Sequence, residues 1–203
     1  FNEFLDEVGR DKAQLIMHTD VNDPNGPNLE EIIHNLNLTN GEVKFSTKKV
    51  EPSQLAMMYN LSDVTINISD AEGFGLSTLE SLSCGTPVVV NMTGGLQEQV
   101  TDGDEWFGVG IEPSAKAIIG SQDIPYIYED RVSGEDVVSA LKQMYDKREE
   151  LRSIGAKGRE HVLKNYNFKD FGKTWEKTIK SITDKYGSWD TRKNYQSWEL
   201  LEV

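Results

Sequence analysis

The sequence carries one cysteine, Cys84, in 203 residues. A single thiol cannot close a disulfide within the chain, so the core must hold the fold. The same scarcity suits a reducing compartment, and a cytoplasmic location is expected. Basic residues are also few: 21 Lys and Arg stand against 34 Asp and Glu, a net charge of −13. Such a surface repels phosphate-rich polymers, which argues against DNA, RNA or anionic lipid as a nonspecific partner. It leaves room for a single nucleotide, because backbone N–H groups at a helix start can hold a diphosphate without a basic side chain. No apolar run approaches the roughly 18–20 residues of a transmembrane helix. The opening Phe1-Asn2-Glu3-Phe4 lacks the basic start of a signal peptide. No His/Cys/Asp/Glu group has metal-ligand spacing, so neither a metal nor another cofactor is expected.

What the chain does have is alternation. Short β-rich runs at 14–19, 42–46, 63–69, 87–91 and 107–111 are separated by helical patterns. Asn28 is placed to cap one helix and Pro52-Ser53 to open another. The run Pro87-Val88-Val89-Val90-Asn91 is apolar throughout, as a strand covered on both faces requires. Five strands at crossover spacing predict an α/β fold, a doubly wound parallel sheet. Such a unit starts on a strand, whereas Phe1, Phe4, Leu5 and Val8 recur at helical spacing. The first strand is therefore expected to be missing and the chain to be a fragment. Residues 117–130 read as an irregular excursion with a short strand at 124–128. Helices are expected from Ser133, over 147–164 and over 169–186. The division expected is 1–186 as one domain, with 187–203 as a tail or arm.

Ser69-Asp70-Ala71-Glu72-Gly73-Phe74-Gly75-Leu76-Ser77-Thr78-Leu79-Glu80 carries the chemistry. It lies where a strand ends and a helix begins, at the carboxyl edge where ligands bind in such sheets. Gly73 and Gly75 permit close approach to a ligand. The N–H groups of Gly75, Leu76 and Ser77 are unsatisfied by the helix and face the loop mouth. Glu72 lies before the helix and Glu80 inside it. A ligand across the helix start would meet one carboxylate at each end, and carboxylates accept hydrogen bonds from vicinal hydroxyls. Gly73-x-Gly75 lacks the third glycine of a dinucleotide site.

Glu72 and Glu80 form an E-x7-E pattern. With Glu72-Gly-Phe-Gly-Leu-Ser-Thr-Leu-Glu80, Pro87-Val-Val-Val-Asn91 and Thr93-Gly-Gly95, the chain resembles the donor domain of family-four (group 1) retaining glycosyltransferases of the GT-B fold. The resemblance covers about residues 1–165 and is specific over 45–110. It implies transfer from a nucleotide diphosphate sugar to an unknown acceptor, retained configuration, no metal, and a partner N-terminal GT-B domain absent from these residues. It implies that Glu72 is catalytic and contacts the donor sugar. Gly73, Phe74, Gly75, Leu76 and Ser77 then supply backbone contacts to the donor, and Glu80 binds the ribose. Thr47 and Lys48 would line a nucleobase or phosphate loop, with Thr93 and Gly94 at the same edge. An Arg/Lys pair assists the leaving diphosphate in such enzymes. Gly9-Arg10-Asp11-Lys12 imitates that string but precedes the second strand of the unit, so the role is not carried over.

Two rival readings stay open. One is a non-catalytic module binding a nucleotide or sugar phosphate. The other is a metal-dependent transferase using Asp102 and Asp104, although Asp102-Gly103-Asp104 reads more simply as a turn. Trp106, Phe107, Phe171 and Trp175 are expected in core or interdomain packing, with Trp175 partly uncovered where the final helix crosses to the absent domain, and Cys84 at a buried helix end.

Overall fold

The computed structural model describes residues 1–24 and 26–194. Asn25, within the loop expected after Asp23, and residues 195–203 of the expected tail lie outside the described residues. The chain divides into two compact units, Phe1–Glu160 and His161–Val203.

The first unit alternates helices and strands: α1 (Asn2–Val8), β1 (Leu15–His18), α2 (Leu29–Asn35), β2 (Val43–Ser46), α3 (Pro52–Leu61), β3 (Thr65–Asn67), α4 (Leu76–Ser83), β4 (Val88–Asn91), α5 (Leu96–Val100) and β5 (Gly108–Ile111). There follow β6 (Ala115–Ile119), β7 (Ile127–Arg131) and α6 (Gly134–Asp146), and α7 (Leu151–Asn165) begins in this unit and ends in the second. The caps follow the side chains. Asn28 accepts from the Glu31 N–H at the head of α2, and Ser133 accepts from the Asp136 N–H at the head of α6. Glu51 and Gln54 form a capping box at α3, with Pro52 at the first helical position.

The five expected parallel strands are present but form two sheets rather than one. β1 pairs with β2, and β4 lies between β3 and β5, all in parallel. β1 and β3 are not hydrogen-bonded to each other. β3 is also shorter than the run at 63–69. Asn67 Oδ1 accepts from the Ser69 N–H at 3.2 Å and the Ser69 hydroxyl at 2.8 Å, which turns the backbone away from the ladder.

β4 is the spine of the core. Val88, Val89, Val90 and Asn91 are all fully buried. Val89 joins Phe4, Leu5, Leu38, Ile111, Val138, Leu141 and Met144 in one cluster on the α1 and α6 side. Its neighbours in the strand face the other side of the pleat. Burying each valine contributes about 1.5–3 kcal/mol relative to exposure.

Residues 115–131 correct the expectation of an irregular stretch with one short strand. They form an antiparallel hairpin in which Ile118 faces Tyr128 and Lys116 faces Asp130. The alternation was obscured because its apolar residues point to solvent: Ile118, Tyr126 and Tyr128 are all exposed. α7 starts at Leu151, later than expected, because residues 147–150 are in turns.

In the second unit α8 runs Phe168–Tyr186, capped by Asn167, whose side chain accepts from the Asp170 N–H. Phe171 and Trp175 are exposed on it rather than packed in a core, and Trp106 in the first unit is half-exposed. Phe107, by contrast, is buried as expected.

Candidate functional site

Asn67 ends β3, and the chain then leaves the sheet at its carboxyl edge. Asn67 Nδ2 lies 3.4 Å from Ser77 Oγ and 3.3 Å from Thr78 Oγ1, so the strand end is tied to the first turn of α4. Between them runs the loop Ser69 to Gly75. Gly75 precedes α4 with φ +85° and ψ +59°, a left-handed conformation that glycine adopts without steric cost. Glu72 is half-buried in this loop, while Phe74, Leu76, Ser77 and Glu80 are exposed. The site therefore opens to solvent along the first turns of α4.

A second segment shapes the loop from behind. Thr93-Gly94-Gly95 follows β4 and leads into α5. The Gly95 N–H donates to the Gly73 carbonyl at 3.2 Å. A Cβ on Gly94 would overlap the Glu72 carbonyl, and one on Gly95 would come within 2.6 Å of the Phe74 carbonyl oxygen. The two glycines are thus required by close backbone approach to the Glu72–Phe74 peptides. Gln99 of α5, fully buried, donates from Nε2 to the Phe74 carbonyl at 2.5 Å. Thr93 and Gly94 accordingly lie beside the signature loop.

Glu80 stands on α4 and accepts a hydrogen bond from the Tyr59 hydroxyl on α3 at 3.0 Å. Burial, reinforced by that bond and by the Glu80 charge, pushes the Tyr59 hydroxyl well above its ordinary range. Tyr59 therefore stays a donor. Behind α4, Cys84 is partly buried, and burial pushes its thiol up. Arg159 donates to the Ser83 carbonyl at the end of the same helix and opposes that shift only in part.

The β6–β7 hairpin is fastened to the loop by Asp130. Its N–H donates to the Asp70 carbonyl at 2.7 Å, and its carbonyl accepts from Asn91 Nδ2 at 2.6 Å. Its carboxylate accepts from the Thr93 hydroxyl at 2.8 Å. Lys116 stands 3.5 Å from the other carboxylate oxygen, and Arg131 Nε is 3.5 Å from Asp70. Sequence reasoning missed Asp130, Gln99 and Tyr59, since each acts through a contact between elements distant in the chain.

The remaining sequence candidates fall elsewhere. Thr47 and Lys48 are exposed just beyond β2, at the carboxyl edge of the β1–β2 sheet, where His18 Nδ1 lies 3.0 Å from Ser46 Oγ. Arg10 precedes β1 and pairs with Asp6 at 2.7 Å, and Lys12 pairs with Asp11 at 2.9 Å. Both lie at the amino end of their strand. Asp102 Oδ1 accepts from the N–H groups of Asp104 and Glu105 at 3.1 and 2.8 Å. That is a turn before β5, at the sheet edge opposite the Glu72 loop. Among the described residues no group of three or more His, Cys, Asp or Glu could hold a metal ion. Nor is any described helix long and apolar enough to cross a membrane.

Parallel strands linked by helices, with a glycine-rich turn at the carboxyl edge, define a Rossmann-like α/β domain. Residues 11–161 match the family model for glycosyl transferases group 1, and the chain belongs to that family. It is 35% identical over 125 residues to D-inositol 3-phosphate glycosyltransferase 2 of Catenulispora acidiphila, a match covering 58% of this chain and 29% of that protein. In structure it is similar to sucrose-phosphate synthase from Thermosynechococcus elongatus, with a TM-score of 0.64 and 21% identity over 90% of this chain and 42% of the other. It is likewise similar to Anabaena HepE solved with UDP and glucose, with a TM-score of 0.62 and 18% identity over 88% and 44% of the two chains. The chain thus spans less than half the length of each of these relatives.

Proposed function

We propose that this chain is the donor-binding part of a retaining glycosyltransferase. Its ligand is a nucleoside diphosphate sugar lying across the start of α4, with the sugar at Glu72 and the ribose at Glu80. The observation that carries this reading is the placement of the two carboxylates. Glu72 lies in the loop before the helix and Glu80 on the helix, so the N–H groups of its first turn fall between them. Those N–H groups and the positive end of the helix suit a diphosphate between the carboxylates. HepE, which shares the fold, was solved with UDP and glucose.

The chemistry asked of these residues is positioning and charge stabilisation. Glu72 fixes the sugar through its hydroxyls near the reacting carbon. The helix start receives the negative charge that grows on the departing diphosphate as the glycosidic bond breaks. Glu80 uses one oxygen for Tyr59 and offers the other to a ribose hydroxyl. No step calls on a metal. Retention of configuration, like the need for an acceptor-binding partner domain, rests on the family resemblance.

Calorimetric titration with UDP, GDP and ADP in EDTA tests the binding half of the proposal. One of the three should bind without metal. Binding that requires Mn²⁺ and disappears in Asp102→Ala would replace this reading with the metal-dependent one.

A further inference from the structure

Gln99 is the least expected residue of α5. It is fully buried, between the equally buried Leu96 and Val100. Its Nε2 donates to the Phe74 carbonyl, yet its Oε1 has no hydrogen-bond partner among the described residues. An unpaired buried acceptor is destabilising, and an apolar side chain of the same length would avoid it. Packing alone does not call for a glutamine there.

The peptide geometry gives it a purpose. The described chain has no cis peptide bonds, and in a trans peptide the C=O and the following N–H point in opposite directions. Turning the Phe74 carbonyl toward Gln99 turns the Gly75 N–H away from α5. The same holds for the two preceding peptides. The Gly73 carbonyl is held by the Gly95 N–H, and the Glu72 carbonyl lies against Gly94. Three consecutive peptides thus turn their N–H groups away from the side on which Gly94, Gly95 and Gln99 stand. Successive N–H groups facing one way form an anion-binding concavity. Backbone atoms orient the first two peptides. For the third, the one adjoining the helix, the orienting group is the Gln99 side chain.

We infer that Gln99 is a positioning residue that holds the Phe74–Gly75 peptide so that the Gly75 N–H joins the anion-facing row. This rests on the reading of the loop as the diphosphate site. It extends that reading to a residue on another helix, buried behind the loop.

The test compares the full chain with Gln99→Met, which keeps the length and removes both polar atoms. Three quantities are read: the ¹H–¹⁵N resonance of Gly75 without ligand, the affinity for inorganic pyrophosphate, and Tm. In the variant the Gly75 resonance should move while that of Gly103, in the turn before β5, stays. Pyrophosphate affinity should fall roughly tenfold, the scale of one lost orienting hydrogen bond, with a modest fall in Tm because the Phe74 carbonyl loses its donor. An unmoved Gly75 resonance overturns the inference. So does equal pyrophosphate affinity in two chains that both bind it. If Gly75 moves but the wild-type chain binds neither pyrophosphate nor nucleotide, the orienting role stands and the donor-site reading falls. Should Gln99→Met fail to fold, the wild-type chain is examined for scalar coupling between Gln99 Nε2 and the Phe74 carbonyl carbon, and its absence overturns the inference.

Discussion

Tyr59 on α3 donates a hydrogen bond to Glu80 on α4 at 3.0 Å, and this fixes where one of the two signature carboxylates can point. Tyr59→Phe removes the orienting group and leaves the packing of the ring. Nucleoside diphosphate affinity should fall about three- to tenfold, as expected for a charge-assisted bond at a partly exposed site. Titration calorimetry on the variant checks this.

The same contact has a pH signature. Burial and then the Glu80 bond raise the folded-state ionisation of Tyr59 above that of the unfolded chain. A raised value means that the contribution to stability is complete below the unfolded value of about 10. It is lost as the pH rises through and beyond that value. Tm measured between pH 8 and 11 should therefore decline less steeply in Tyr59→Phe than in the wild type. Parallel curves would contradict the assignment.

Gly94→Ala and Gly103→Ala separate close approach from backbone conformation. Both glycines have positive φ, +49° and +98°. A Cβ at Gly103 meets nothing within 4 Å, whereas at Gly94 it overlaps the Glu72 carbonyl. Gly103→Ala should cost about 1–2 kcal/mol, the left-handed strain alone. Gly94→Ala should cost more than that and should also displace the signature loop, weakening nucleotide binding. Urea denaturation at constant m-value measures the first effect, and calorimetry the second.

Asn91 joins the strand end to the hairpin. It is fully buried, and its Nδ2 donates to the Ser69 and Asp130 carbonyls at 2.9 and 2.6 Å. Asn91→Leu leaves both carbonyls without that donor and should destabilise the fold by about 1–3 kcal/mol. Hydrogen exchange at β7 should rise with it, since the hairpin is fastened at this point.

Cys84 provides a check on the site's electrostatics. Burial raises its thiol above the ordinary value of about 8.5. Alkylation by iodoacetamide should accordingly stay slow at pH 8 and accelerate only at higher pH. Rapid modification at pH 7 would show a lowered thiol and contradict the packing of α4 described above.

Much of this was legible in the sequence where the code is local. The unbroken Val88-Val89-Val90 run announced a strand buried on both faces, and Asn28, Ser133 and Pro52 marked helix starts by the chemistry of their own side chains. Glu72 to Glu80 was legible because nine consecutive residues of turn and helix carry the whole pattern. The hairpin at 115–131 was not, because its apolar residues face solvent and give no inward-outward alternation to read. Tyr59, Gln99, Asn91 and Asp130 were not legible either. Each acts on a residue 21 or more positions away, and no local spacing encodes such a meeting. The division between β1 and β3 likewise depends on which strands become neighbours, which periodicity does not specify.

If Glu72 and Glu80 grip opposite ends of one donor, their loss must separate a nucleoside diphosphate from its sugar conjugate. UDP and UDP-glucose, or the matching pair for whichever base binds, are titrated in EDTA into the wild type, Glu72→Gln and Glu80→Gln. The account predicts that Glu80→Gln weakens both ligands about equally, because both carry the ribose. It predicts that Glu72→Gln leaves the nucleoside diphosphate nearly unchanged and weakens the nucleotide sugar by about tenfold, one lost charge-assisted hydrogen bond. Equal losses for both ligands in Glu72→Gln, or no loss in Glu80→Gln, would contradict it.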